Sequence, residues 1–130
     1  MKSFTDLPQS KILAEFLPKS SADMAYLKYA SSDNLTFRFE GALPMVLGDI
    51  PIDEIDCETL PCWSFPALLG LIPDKISINN ESYYLSFTKT SVEFKGPITW
   101  DGQKTKSFEM DNIIDAAFEM VCWLKENGKI

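Results

Sequence analysis

The sequence predicts an α+β domain, with an antiparallel β-sheet of five or six strands packed with three helices. Three observations carry that prediction. Segments that alternate apolar and polar residues are interspersed with segments at helical spacing. The connections between alternating segments are short turn dipeptides, Asn79-Asn80 and Asp101-Gly102, of the kind that join antiparallel neighbours. The chain has 130 residues, 45% of them hydrophobic, enough for one core, so residues 1–130 read as a single domain.

The first helix is expected from Asp6, an N-cap residue, with Pro8 in its first turn. Ile12, Leu13, Phe16 and Leu17 would share one face, and Leu17-Pro18 would stop it. Met24 to Ala30 is rich in aromatic residues and precedes a polar turn at Ser31 to Asn34. Leu35, Phe37 and Phe39 then alternate with Thr36, Arg38 and Glu40, the pattern of a half-buried strand. Residues 41–62 break this regularity with Gly41, Pro44, Gly48, Pro51 and Pro61. Their apolar residues either form a short irregular strand on the core or are offered to a partner.

Ser64 caps the second predicted helix, with Pro66 in the first turn. Phe65, Leu68, Leu69 and Ile72 follow helical spacing up to Ile72-Pro73. Ile76 and Ile78 lead through Asn79-Asn80 to Tyr83, Leu85 and Phe87, and Val92 and Phe94 make the next strand. Asp101-Gly102 is the strongest hairpin signal, joining Ile98-Thr99-Trp100 to a strand ending near Phe108. The last helix is expected from Asp111, its cap, to Asn127, with Gly128 as a left-handed stop. Its apolar residues cover most of its circumference, which points to a central place in the core or a face shared with a partner.

Two segments, 6–41 and 64–96, resemble each other as α-β-β units. Asp6-Leu7-Pro8 matches Ser64-Phe65-Pro66, Leu17-Pro18 matches Ile72-Pro73, and Phe39-Glu40-Gly41 matches Phe94-Lys95-Gly96. Either a duplication or convergent patterning produces this, since each unit has one apolar helix face and one apolar sheet face to bury.

The formal net charge is −7, and it is not spread evenly. Residues 1–38 hold five basic and four acidic groups, and residues 75–130 hold seven and eight. Residues 39–74 hold Glu40, Asp49, Asp53, Glu54, Asp56, Glu58 and Asp74 and no Lys or Arg. A field of that sign repels phosphate, so nucleic acid is excluded as a partner, and it attracts a basic protein surface or a cation. No stretch approaches the roughly 18 uninterrupted apolar residues needed to cross a bilayer. The polar segment Met1 to Ser10 has no apolar h-region, so a cytoplasmic protein with free thiols is expected. Asn34-Leu35-Thr36 and Asn80-Glu81-Ser82 are then chance sequons.

Histidine is absent, so neither a Ser-His or Cys-His nucleophile pair nor a histidine zinc hydrolase can be built. The glycine-rich nucleotide cradles are missing as well. Cys57 and Cys62 make half a zinc site with no second half, and Cys122 lies in an apolar helical pattern. No catalytic residue, cofactor or metal is therefore assigned. Two features remain as candidate partner-binding residues. Asp53, Glu54, Asp56 and Glu58 cluster in the acidic block, either as a solvated face, as a docking surface, or as an acid–base pair. Trp63, in Leu60-Pro61-Cys62-Trp63-Ser64, is either an exposed anchor or a staple on the following turn.

Three blocks carry a family likeness. The first is Phe4-Thr5-Asp6, Gln9-Ser10-Lys11, Leu13-Ala14-Glu15, Leu17-Pro18 and Ser21-Ala22-Asp23-Met24. The second is Pro61-Cys62-Trp63-Ser64 with Ala67-Leu68-Leu69, and the third is Asp115-Ala116 with Phe118-Glu119-Met120-Val121-Cys122-Trp123-Leu124. In this order they resemble a family of small proteins of unassigned activity encoded by gut Bacteroidales and their phages and mobile elements. The resemblance implies a cytoplasmic bacterial or phage protein and carries over no site residue. The expected function is a non-enzymatic accessory protein that binds a host protein through its acidic surface. A homo-oligomeric structural module and a small carboxylate-based enzyme or ligand binder are the alternatives.

Overall fold

A computed structural model describes residues 2–27, 29–30, 37–38, 43–52 and 58–130. It is an α+β protein with helices at Leu7–Ala14 (α1), Phe65–Leu71 (α2) and Ile113–Glu126 (α3). The described strands do not join as one sheet of five or six. They form antiparallel sheets of three, two and four strands. By proximity the chain falls into two compact units, residues 3–67 and residues 1–2 with 68–130.

In the unit 3–67, α1 begins as expected. Asp6 accepts from the Gln9 backbone N–H at 2.9 Å, and the Gln9 side chain accepts from the Asp6 N–H at 3.2 Å, a reciprocal capping box. Leu13 is buried completely, Phe16 and Leu17 are half-buried, and Ile12 is exposed. A 3-10 turn at Lys19–Ser21 leads into β1 (Met24–Leu27). β1 lies between β4 (Met45–Val46) and β5 (Thr59–Cys62), with Met24 opposite both Val46 and Cys62. Strands β2 (Tyr29–Ala30) and β3 (Phe37–Arg38) pair separately. So part of the irregular stretch 41–62 supplies both neighbours of β1. Its Leu47 and Ile52 pack with Ala25, and Leu60 and Cys62 pack with Tyr26.

The other unit is a meander, β6 (Lys75–Ile78), β7 (Glu81–Phe87), β8 (Ser91–Thr99) and β9 (Gly102–Glu109), in that spatial order. Asn79 and Asn80 take φ of 52° and 66°, which two-residue hairpins of this twist require. β8 continues past Lys95 to Thr99, with an irregularity between Lys95 and Ile98. Helix α3 packs on β8 and β9. Ile76, Tyr83, Val92 and Phe94 of the sheet are buried, as are Ile114, Ala117, Phe118, Val121 and Leu124 of the helix. Asn112, not the expected Asp111, caps α3 by accepting from the Asp115 N–H at 2.9 Å. At the other end Gly128 has φ 66°, and Lys129 N–H donates to the Leu124 carbonyl at 2.8 Å. With Gly128 N–H on the Lys125 carbonyl this is a Schellman stop.

The strand pairings differ between the two α-β-β segments. β1 pairs with two strands that come later in the chain, whereas β7 pairs with its sequence neighbours. A shared alternation is what any half-buried strand shows, and it does not determine the partner.

Candidate functional site

Of the sequence-predicted binding residues, Asp53, Glu54 and Asp56 lie outside the described residues. Glu58 is exposed just before β5. Asp49 and Asp74, from the same acidic block, are exposed as well. Trp63 is 0% exposed, and its indole N–H donates to Ser21 Oγ at 3.1 Å. Its ring therefore presents no surface in this structure.

The region around Trp63 is a buried polar cluster. Trp63 N–H donates to Thr5 Oγ1 at 3.1 Å, and Thr5 Oγ1 lies 2.8 Å from Ser10 Oγ. Tyr26 Oη donates to the Thr5 carbonyl at 2.8 Å, and the Cys62 thiol is 3.4 Å from the same oxygen. Asp23 holds the start of α2 by accepting from the Ser64 N–H and hydroxyl. Among the described residues no buried polar side-chain atom is left without a partner. Burial pushes the Cys62 thiol up, and burial and the nearby Cys62 push Tyr26 up. A nucleophile needs the opposite shift and an approach for substrate. This cluster has its groups satisfied and sealed, so it fastens α1 to β1 and β5.

Cys122 on α3 is half-buried and pushed up to about 11 by burial and by Glu119 and Glu126. Among the described residues no group of three or more Cys, Asp or Glu is placed to hold a metal ion. No helix among them is long and apolar enough to cross a membrane.

Among the described residues the exposed large apolar side chains fall in several places, with Leu43, Val46 and Ile50 in one stretch and Ile98 and Trp100 at the end of the β8–β9 hairpin. At the tip of the β8–β9 hairpin Trp100 is 99% exposed and Ile98 81%. Thr99 pairs with Gly102, so the corner is Trp100-Asp101 and not Asp101-Gly102. Gly102 takes φ 116°, and Thr99 Oγ1 donates to its carbonyl at 2.9 Å. Trp100 therefore occupies a turn position and not a paired strand position. The sequence marked the turn but not its corner, and an aromatic residue directly before Asp-Gly was the sign that was available.

Two concave surfaces lie on the described residues. A cleft of about 260 Å³ is lined by Lys19, Ser20, Ala22 and residues 47–52. A wider groove of about 560 Å³ is lined by Leu69, Asp74 and residues 84–87 of β7. In comparisons with protein families, curated proteins and solved structures, nothing matches the chain.

Proposed function

We propose that this chain is a non-enzymatic accessory protein that binds another protein, with the β8–β9 tip as its anchor and the acidic block 39–74 as its electrostatic guide. In this reading it is encoded by a phage or mobile element and modulates a protein of the host. The observation that carries it is Trp100, 99% exposed on a hydrogen-bonded hairpin corner. An indole left fully in water forgoes the apolar burial that Trp63 obtains. Tryptophan is among the residue types most enriched at interface hot spots. Ile98, also exposed, enlarges the apolar area at the same tip.

A second copy of the chain is a less favoured partner. The edge strands of the meander are β6 and β9, and they carry Lys75 and Lys104 with Lys106, lysines that discourage edge-to-edge pairing of identical strands. Capture from lysate of the source cell, read by quantitative mass spectrometry, tests the proposal. Trp100→Ala should retain the fold and lose the captured partner by about thirtyfold in affinity, the loss of one hot spot. Unchanged capture by Trp100→Ala and by charge reversal of Asp53, Glu54, Asp56 and Glu58 would end the reading. A dimeric mass that becomes monomeric in Trp100→Ala would replace it with the oligomer reading.

A further inference from the structure

We infer that β4 is a docking edge, to which a basic, extended segment of a partner protein adds as a further strand. The inference rests on the protein-binding reading above and names the chemistry of the segment that the acidic block would guide. β4 (Met45–Val46) is an outer strand of its three-stranded sheet, with β1 beside it. Val46 lies opposite Met24, and Met45 opposite Ala25. Leu47 N–H donates to the Asp23 carbonyl at 3.0 Å, the next step of the same register. In an antiparallel ladder, pairs that exchange hydrogen bonds alternate with pairs that do not. Met45 and Leu47 therefore turn their backbone groups toward β1, and Val46 turns its N–H and C=O away from it. Among the described residues neither group of Val46 has a hydrogen-bond partner. A turn then carries the chain off the strand, with Ile50 N–H on the Leu47 carbonyl at 3.0 Å and Gly48 at φ 58°. Glycine adopts that conformation without steric cost, so the end of the edge is firmly set.

The side chains along this stretch suit a covering strand. Val46 is 70% exposed, and Leu43 and Ile50 nearby in sequence are exposed as well. No lysine guards β4, unlike the edges of the meander. Pro44 has no N–H to offer, so Val46 supplies both donor and acceptor, and apolar contacts supply the rest. A partner residue paired with Val46 is therefore apolar. Charge decides the occupant. Within the same compact unit, residues 39–67 hold six acidic groups, Glu40, Asp49, Asp53, Glu54, Asp56 and Glu58, and no Lys or Arg. Asp49, in the turn that follows β4, is exposed. Lys19 lines the same cleft as Asp49 but makes no ion pair with it, so the carboxylate stays available. A second copy paired edge to edge would bring two such acidic stretches together, like against like. A segment that alternates basic and apolar residues meets opposite charge and covers Val46.

The test is fluorescence anisotropy of the full chain with a labelled, end-blocked peptide of sequence lysine–valine–lysine–valine–lysine. The peptide should bind, and its counterpart with glutamate for lysine should bind about tenfold more weakly. N-methylation of both valines blocks the peptide edge that faces Val46 and should weaken binding about tenfold. N-methylation of the central lysine blocks only the far edge and should leave affinity within about twofold. In amide-exchange NMR, the Val46 N–H should exchange fast in the free protein and slow about tenfold at saturating peptide. Val46→Lys should weaken the peptide about tenfold, and Asp49→Lys several-fold. Glu109→Lys, an equal charge change at an exposed position of the other unit, should leave affinity within about twofold. Circular dichroism confirms that each variant is folded. Absence of binding, equal losses from the two N-methylated peptides, equal binding of the glutamate peptide, equal losses in Asp49→Lys and Glu109→Lys, or an unprotected Val46 amide would each overturn the inference. A two-chain mass that Val46→Lys returns to one chain would overturn it as well and give the edge to a second copy. Trp100→Ala should leave the peptide affinity unchanged, so failure here and failure of the hairpin anchor are separable.

Discussion

Two side chains show how closely the interior specifies its residues. A Cβ added at Gly96 would lie 2.5 Å from Tyr83 Cε2, and the Tyr83 ring is buried. A buried ring has little free space to yield into. Gly96→Ala should therefore cost about 1–3 kcal/mol, the usual penalty of overpacking, measured by urea unfolding. Cys122 gives a pH-dependent prediction. Its thiol is raised from 9.0 to about 11 in the folded protein. Below the unfolded value both states keep the proton, and this stabilising contribution is complete. As pH rises through the interval between the two values, the unfolded chain loses its proton first, so stability falls. Wild type should lose more stability than Cys122→Ala between about pH 8 and pH 10.5 in urea titrations. Equal losses would show that the thiol does not couple to folding.

At the level of elements, helices and hairpin neighbours are legible, and the strands that flank β1 are not. Asp6 and Ser64 were identified as caps because a cap is a local contact between residues three apart. Gly128 was identified because only a left-handed residue closes the Schellman turn. Asp111 was an error of one position: Asp111 and Asn112 are both competent acceptors, and the turn geometry selects Asn112. Asn112→Ala should cost about 1 kcal/mol in chemical unfolding, while Asp111→Ala should cost less than half of that. Strand pairing depends on contacts distant in sequence, and alternation specifies the buried face without naming the neighbour. That is why β4 and β5, both from the stretch that looked irregular, were not anticipated as the flanks of β1. For the same reason the sequence does not decide whether Trp63 is an anchor or a staple, and it does not single out Trp100. Thr5, far away in sequence, closes the site around Trp63, and a one-residue shift of the turn opens the site around Trp100.

For the whole molecule, charge and apolar anchoring act on different parts of a binding event. A net charge of −7 with all of its excess in residues 39–74 biases diffusion toward a basic partner surface. That bias weakens as added salt shortens the screening length. An exposed indole contributes only after contact, when water leaves the interface, and so it governs how long the complex lasts. With the captured partner in hand, surface plasmon resonance from about 50 to 500 mM salt separates the two. Wild-type association should slow markedly with salt, about tenfold over this range, with little change in dissociation. Charge reversal of Asp53, Glu54, Asp56 and Glu58 should slow association at low salt and flatten its salt dependence. Trp100→Ala should leave association nearly unchanged and speed dissociation by about thirtyfold. If the indole variant instead changes association and the charge variant changes dissociation, then the acidic block is the contact surface and the hairpin tip is not.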